Sequence, residues 1–159
     1  MNGAFGMVRK MGRDIRHPKS HFVDSGVAAA LRGLTAGDFV LGKDQTPLGS
    51  LFETYVFSEL LKNLPYQRDE WRLFHWRDQR GREVDMLAEC GNLLVGLEVK
   101  ASATVGAEDF KNFHYFRAGP AAKWDFIGLL IYMGDRPLSF GNGLYAMPVS
   151  IFGSFPQGT

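Results

Sequence analysis

The chain has 159 residues, of which 45% are hydrophobic and 13% aromatic, enough for the core of one compact domain. Its formal net charge of +1 excludes a surface that is basic overall, so any nucleic-acid site must be local. The single cysteine, Cys90, excludes an internal disulfide framework and fits a reducing cytoplasm, and no apolar run approaches the length of a membrane span.

The N-terminal part of the chain begins with a basic stretch that contains several glycines and has no sustained hydrophobic period. Residues 1–20 are therefore predicted to form a flexible lead-in. From Phe22 the pattern indicates a short extended piece, a cap at Asp24 or Ser25, and a small helix that ends at Gly33.

A glycine-rich stretch from Gly37 to Lys43 has the spacing of a phosphate-binding loop. Asp44 follows at the position where that loop needs a Ser or Thr hydroxyl for magnesium, so a linker is the better interpretation. With no nucleotide-binding module indicated, residues 21–152 are predicted to form one domain and residues 153–159 a tail.

A longer helix is predicted from Pro47 to Leu64 because apolar residues recur there at helical spacing. These residues are Phe52, Val56, Phe57, Leu60, Leu61 and Leu64. Glu53 projects near the centre of that apolar stripe, where a carboxylate must be paired, hydrogen-bonded or neutralised. It is either part of a functional site or half of a buried salt bridge to an arginine.

Three antiparallel strands are predicted in the middle of the chain. The first is Trp71 to Arg77, followed by a turn at Asp78 to Gly81. The second and third lie within Arg82 to Lys100, on either side of Gly91-Asn92, a pair suited to a two-residue hairpin turn.

This hairpin register predicts a cluster of charged side chains. Asp85 lies opposite Glu98, and Lys100 points to the same face. Opposed carboxylates repel each other, so a cation is needed between them. One candidate is a divalent metal held by Asp85, Glu98 and the Val99 carbonyl. The alternative is that Lys100 is itself the compensating cation and also pairs with Glu83.

The remainder of the chain predicts a parallel unit added to the antiparallel strands. A helix is expected from Ala107 to Phe116 and a strongly apolar central strand from Trp124 to Met133. Leu144 to Phe152 is predicted to be the last edge strand, because Pro148 is unsuited to the centre of a sheet.

A known family pattern resembles this arrangement of a helix with Glu53, then Asp85, twelve intervening residues and Glu98-Val99-Lys100. The pattern is similar to that of the PD-(D/E)xK, or restriction-endonuclease-like, nuclease superfamily. More closely, it resembles the nuclease-like domain of unknown function that follows the ATPase module in many prokaryotic AAA-type ATPases. The segments that carry this resemblance are Phe22 to Leu34, Leu48 to Leu61 and Gly81 to Ser102.

The resemblance implies an α/β fold whose core is a mixed sheet of roughly four to five strands flanked by helices. It places Asp85 and Glu98 in the metal-ligand positions, with magnesium or manganese as the metal, and Lys100 in the catalytic-lysine position. Glu53 takes the auxiliary acidic position. Val84 stands where the proline of the signature is expected.

Two classes of function follow from the resemblance and the residues together. The first is a metal-dependent DNA endonuclease in which Arg77, Arg80 and Arg82 hold backbone phosphate. The second is a non-catalytic module that keeps the nuclease fold and binds DNA or an ATPase partner. The expected partners are DNA and an AAA-type ATPase module or further copies of the chain, in the cytoplasm and without membrane association.

Overall fold

The computed structural model describes residues 5–7, 9–10, 20–22, 25–31, 33, 46–64 and 67–153. Within these residues there are nine strands and three α-helices. The strands are β1 (Phe5–Met7), β2 (Arg9–Lys10), β3 (Ser20–Phe22), β4 (Arg72–Arg77), β5 (Glu83–Cys90), β6 (Leu93–Lys100), β7 (Asp125–Tyr132), β8 (Leu138–Gly141) and β9 (Leu144–Pro148). The helices are α1 (Ser25–Leu31), α2 (Thr46–Asn63) and α3 (Lys111–Ala118), and short 3-10 helices span Ala107–Phe110 and Val149–Gly153.

The main sheet is mixed and has the strand order β2-β4-β5-β6-β7-β9-β8, while β1 pairs with β3 separately. Strands β4, β5 and β6 form an antiparallel meander, and β7 and β9 then add in parallel beyond β6. This architecture confirms the predicted α/β fold with a mixed sheet. The sheet holds seven strands in the described part of the chain, more than the four to five expected.

The β5–β6 hairpin forms where the sequence predicts it. Gly91 takes a positive φ of 58°, a conformation that glycine adopts without the steric cost of a Cβ atom. The pairing runs from Cys90–Leu93 to Met86–Leu97, which is the expected register.

Each face of the sheet is covered by a helix. The face under α3 carries a core that includes Leu87, Leu94, Phe110, Phe113, Phe116, Phe126 and Leu130. The face under α2 carries a second core that includes Val56, Phe57, Met86, Ala88, Leu97 and Ile131. Because side chains alternate along β6, Leu97 and Val99 face α2 while Gly96 and Glu98 face α3.

Two glycines make room for α3 to approach the sheet. Gly96 on β6 pairs with Gly128 on β7. A Cβ atom on Gly96 would lie 3.0 Å from the Phe113 ring, and one on Gly128 would lie 2.9 Å from the same ring. The fully buried Phe113 side chain therefore rests on a patch of bare backbone.

The prediction of Leu144 to Phe152 as the last edge strand is wrong. β9 ends at Pro148 and lies between β7 and β8, so β8 is the edge of the sheet on this side. Pro148 is tolerated because it is the last residue of β9, beyond which the ladder does not continue. The turn before β9 contains Asn142, which takes a positive φ of 49°.

Other expectations concern the ends of the domain and the linker. β1 and β2 lie within residues 1–20, for which a lead-in was expected. Residues 37–43, interpreted as a linker, and 154–159, most of the expected tail, lie outside the described residues. None of the helices in the described part of the chain is long and apolar enough to cross a membrane.

Candidate functional site

Asp85 lies where the backbone pairing of β5 with β6 ends. One carboxylate oxygen, Oδ2, accepts the backbone N–H of Val99 at 3.0 Å. The last paired residues of the hairpin are Met86 and Leu97, so this side-chain bond continues the ladder beyond them. The carboxylate of Asp85 is thus held against β6, next to Glu98.

Glu98 is a half-buried residue whose carboxyl group lies largely out of contact with water. Its Oε1 atom is buried and accepts no hydrogen bond from the described residues, while the Asn112 side chain of α3 lies close to the carboxyl group and acts to lower its pKa. Burial first, and the charge of Asp85 second, raise the pKa of Glu98 to about 8. Smaller contributions in the same direction come from Glu83 and Asp109. Without a bound cation, Glu98 is therefore mostly protonated at neutral pH.

Lys100 forms an ion pair with Asp109, at the end of the 3-10 helix that precedes α3. The other oxygen of Asp109, Oδ2, accepts the backbone N–H of Gly106 at 2.8 Å. Burial acts to raise the pKa of Asp109, but the hydrogen bonds from Lys100 and Gly106 and the charge of Lys100 outweigh it and lower the pKa. Lys100 thus compensates the charge of Asp109, a residue that lies outside the hairpin.

Glu53 comes from the helix that covers the other face of the sheet. It is one turn before the buried Val56 and Phe57, so it points towards the sheet. Leu60, two turns further along the same helix, lines a cleft together with Val95. Glu53 thus belongs to the helix on the face of the sheet opposite Glu98, and its role in the site stays a prediction.

Two of the three arginines expected to bind phosphate already contact carboxylates. Arg82 donates from Nε to Asp78 Oδ2 at 2.7 Å, and its guanidinium carbon lies 3.3 Å from the centre of the Tyr115 ring. The Nη1 atom of Arg77 lies 3.8 Å from Oε2 of Glu83, and this exposed ion pair contributes little to stability. The Arg80 side chain is exposed, and its backbone N–H donates to Asp78 Oδ1 at 2.8 Å. A phosphate role for these arginines also stays a prediction.

The donor set can be compared with the needs of magnesium or manganese. Within the described ranges, no group of three or more His, Cys, Asp or Glu side chains is placed to hold a metal ion. The carboxylates of Asp85 and Glu98 repel each other, and Oε1 of Glu98 is buried with no donor among the residues that the structure describes. The two carboxylates therefore fit part of the shell of a hard cation. Such an ion keeps several waters, so a half-shell of protein oxygens suffices.

Two further residues of this site were missed by the sequence reasoning. Asp109 and Asn112 belong to the segment predicted as a helix, but their contacts with Lys100 and Glu98 arise only when α3 packs on the sheet. The sequence carries one signal for Asp109, since it stands three residues after Gly106 at the start of a helix, where a carboxylate satisfies a backbone N–H. Asn112 has no comparable signal.

Comparisons with known proteins give one family match. The model of the family described as "Domain of unknown function (DUF4143)" matches residues 48–152. No curated protein shows significant similarity to the chain. One solved structure with some likeness is a half-complex from a tetradecameric assembly of Thermococcus gammatolerans McrB AAA+ hexamers with bound McrC, at 12% identity and a TM-score of 0.45. That match covers 83% of this chain and 42% of the other, so the chain spans less than half the length of that protein.

Proposed function

Because the chain belongs to the DUF4143 family, whose function is unknown, we propose its activity from the site: metal-dependent hydrolysis of phosphodiester bonds in DNA. The observation that carries the proposal is the juxtaposition of Asp85 and Glu98, where burial first and the charge of Asp85 second raise the pKa of Glu98. Lys100 follows two residues later on the same face. A surface selected only to bind DNA has no need for paired carboxylates, which repel phosphate.

The residues of the chain would divide the work as follows. Asp85 and Glu98, with the Val99 carbonyl, would hold magnesium or manganese. When bound, the metal would supply Lewis-acid stabilisation of charge on the scissile phosphate. Lys100 has three N–H donors, and the ion pair with Asp109 leaves donors that can orient the attacking water. Arg80, whose side chain is exposed, is the arginine best placed to contact backbone phosphate.

Metal binding should be measurable and weak. We expect magnesium or manganese to bind in the millimolar to high-micromolar range typical of a half-shell that substrate oxygens complete. Isothermal titration calorimetry on wild type and Asp85→Asn tests this. The asparagine oxygen can still accept the Val99 N–H, so the variant should fold but lose most of the binding heat.

A matched control for this experiment is Asp125→Asn. Asp125 is an exposed carboxylate that accepts a hydrogen bond from Asn92 at the turn end of the sheet, away from Asp85. The control should bind metal as wild type does. Equal heats for wild type and Asp85→Asn would remove Asp85 from the ligand set.

Cleavage is the direct test of the proposed activity. Purified protein with manganese should nick or cut at least one of four DNA forms: linear, supercoiled, flapped and four-way-junction. Lys100→Ala should reduce the single-turnover rate by about 100-fold, a value in the range for a residue that assists proton transfer or positions water. DNA binding, measured by fluorescence anisotropy, should change little.

Lys123→Ala is the control, because Lys123 is exposed in the turn after α3. It removes the same charge without touching the site and should cut at the wild-type rate. A Lys100→Ala protein that cuts as fast as wild type would assign the activity to a contaminant. Intact DNA binding without any cleavage would favour the second candidate, a non-catalytic module.

The partner and the cellular location are extensions of this proposal. The sequence resemblance to domains that follow AAA-type ATPase modules supports an ATPase module or further copies of the chain as partners. A cytoplasmic location rests on the single, unbridged Cys90. Co-purification with an ATPase encoded next to the chain, followed by mass determination of the complex, would test the partner.

A further inference from the structure

The contact between Lys100 and Asp109 joins two parts of the fold that are separate in the sequence. Lys100 is the last residue of β6, and Asp109 lies at the junction of the 3-10 helix and α3. The pair is only partly exposed, with 37% of the Lys100 side chain and 16% of the Asp109 side chain accessible to solvent. A lysine in this position would otherwise be free to turn towards water.

Asp109 is held in place by a backbone hydrogen bond and by the packing of its helical segment. Its Oδ2 atom accepts the Gly106 N–H, which fixes the carboxylate at the start of the helical segment. The helical segment is in turn anchored by Phe110 and Phe113, whose side chains are fully buried. The carboxylate is therefore a rigid acceptor, and rigidity is what a group needs if it is to orient another side chain.

The same segment makes a second contact with the site. The side chain of Asn112, three residues after Asp109, lies close to the Glu98 carboxyl group and favours its ionised form. Residues Gly106 to Asn112 thus contact two of the three hairpin residues to which the proposed chemistry is assigned. A purely structural cap needs the Gly106 contact but neither of these.

We propose that Asp109 is a positioning residue for Lys100: it holds the ammonium group on the site face of β6, pointed at the space beside Glu98. The role as a contributor to catalysis rests on the proposed nuclease function, whereas the holding of Lys100 does not. Asp109 touches neither substrate nor metal in this proposal and acts only through Lys100. Loss of the carboxylate should release the lysine without unfolding the domain, because asparagine retains an oxygen for the Gly106 N–H.

The first test measures Lys100 directly and requires no activity. Wild type, Asp109→Asn and Glu108→Gln are acylated briefly with an N-hydroxysuccinimide ester, and labelling at each lysine is followed by peptide mass spectrometry. Lys100 should react about three- to tenfold faster in Asp109→Asn, because a charge-assisted hydrogen bond no longer restrains its amine. Exposed Lys123 is the internal standard in every sample. Glu108→Gln removes a neighbouring exposed carboxylate and should leave Lys100 labelling unchanged.

The second test measures catalysis. On a DNA form that wild type cuts, Asp109→Asn should lower kcat about 10- to 100-fold, the usual effect of removing a partner that orients a site residue. KM for DNA should stay within about threefold of wild type, since substrate contacts are untouched. Asp109→Glu, which restores the carboxylate, should recover part of kcat, a result that a purely structural role does not require.

The outcomes separate this proposal from the proposed function. Equal Lys100 labelling in wild type and Asp109→Asn overturns the positioning role, whatever the activity. Faster labelling with an unchanged kcat also overturns it, because Lys100 would then need no positioning. Faster labelling in a protein that cuts no DNA form supports the hold on Lys100 and overturns the nuclease function instead.

Discussion

Replacing Glu98 by glutamine should abolish most of the pH dependence of unfolding between about pH 4.5 and pH 8. In the folded protein, burial and the Asp85 charge raise the pKa of Glu98 from 4.5 to about 8. In the unfolded chain the carboxyl group has its ordinary pKa, so between these two values the unfolded state binds fewer protons than the native state. The free energy of unfolding of wild type therefore falls as pH rises through this window.

The size of the effect follows from the shift in pKa. A shift of one unit corresponds to about 1.4 kcal/mol, so the wild type should lose up to about 5 kcal/mol of stability across the whole window. The contribution of Glu98 to the free energy of unfolding is fully present below about pH 4.5 and is lost by about pH 8. Glutamine is neutral at every pH and keeps the shape of the side chain, so the variant should be more stable than wild type at pH 8.

Urea unfolding in the presence of a chelator, at half-unit pH intervals, measures this difference. Glu108→Gln, at an exposed carboxylate in the same region, should retain the wild-type slope. Asp85→Asn should lose stability over a narrower pH window and by a smaller total amount, since one cause of the raised pKa is removed. Parallel curves for wild type and Glu98→Gln would show that Glu98 is not the titrating group. Saturating magnesium should flatten the wild-type curve if the metal binds the ionised carboxylates.

Gly96→Ala and Gly128→Ala should each lower the free energy of unfolding by about 1 to 3 kcal/mol. A Cβ atom at Gly96 would lie 2.8 Å from the Phe126 ring, and one at Gly128 would lie 2.6 Å from Leu144. All of these neighbours are buried, so relief requires repacking of the core under α3. The expected sign is opposite to the usual gain when alanine replaces glycine in a strand.

The control is Gly49→Ala in α2, where the new methyl group meets nothing within 4 Å. That variant should gain up to about 1 kcal/mol, since alanine favours the helix over glycine. The double variant of Gly96 and Gly128 should lose less than the sum of the two, because both methyl groups press on Phe113 and one shift of the ring relieves both. Strict additivity, or stabilisation at either site, would contradict this packing account.

The predicted meander succeeded because its determinants are local. Gly91 and Asn92 mark the β5–β6 turn, and period-two patterning on either side sets the register, so the neighbourhood of Asp85 and Glu98 could be inferred from sequence. β8 was missed because it is only four residues long, and Pro148 then suggested an edge where an inner strand ends. A sequence pattern indicates which residue types favour a strand, but it does not show where the hydrogen-bonded pairing of that strand ends.

The part of the site that could not be predicted is the part that depends on α3. Spacing along a strand places Lys100 near Glu98, but it cannot tell which carboxylate will hold the ammonium group. That choice depends on how α3 docks, which depends in turn on Phe113 finding the glycine patch of Gly96 and Gly128. Hydrophobic periodicity identifies a helix or a strand separately, but a single sequence does not reveal which residues of the two come into contact.

The position of β6 between an antiparallel and a parallel neighbour has a consequence for the order in which the site assembles. The β4–β5–β6 meander closes through short turns, whereas β7 can join β6 only after residues 101–124 have looped back. Contacts between residues close in sequence form faster, since they lose less loop entropy. We therefore expect a folding chain to bring Asp85 and Glu98 together while both are still hydrated and charged. Water screens the repulsion between the two carboxylates until α3 docks and expels it. In the absence of metal, the docking of α3 should therefore be slower at pH 8 than at pH 5.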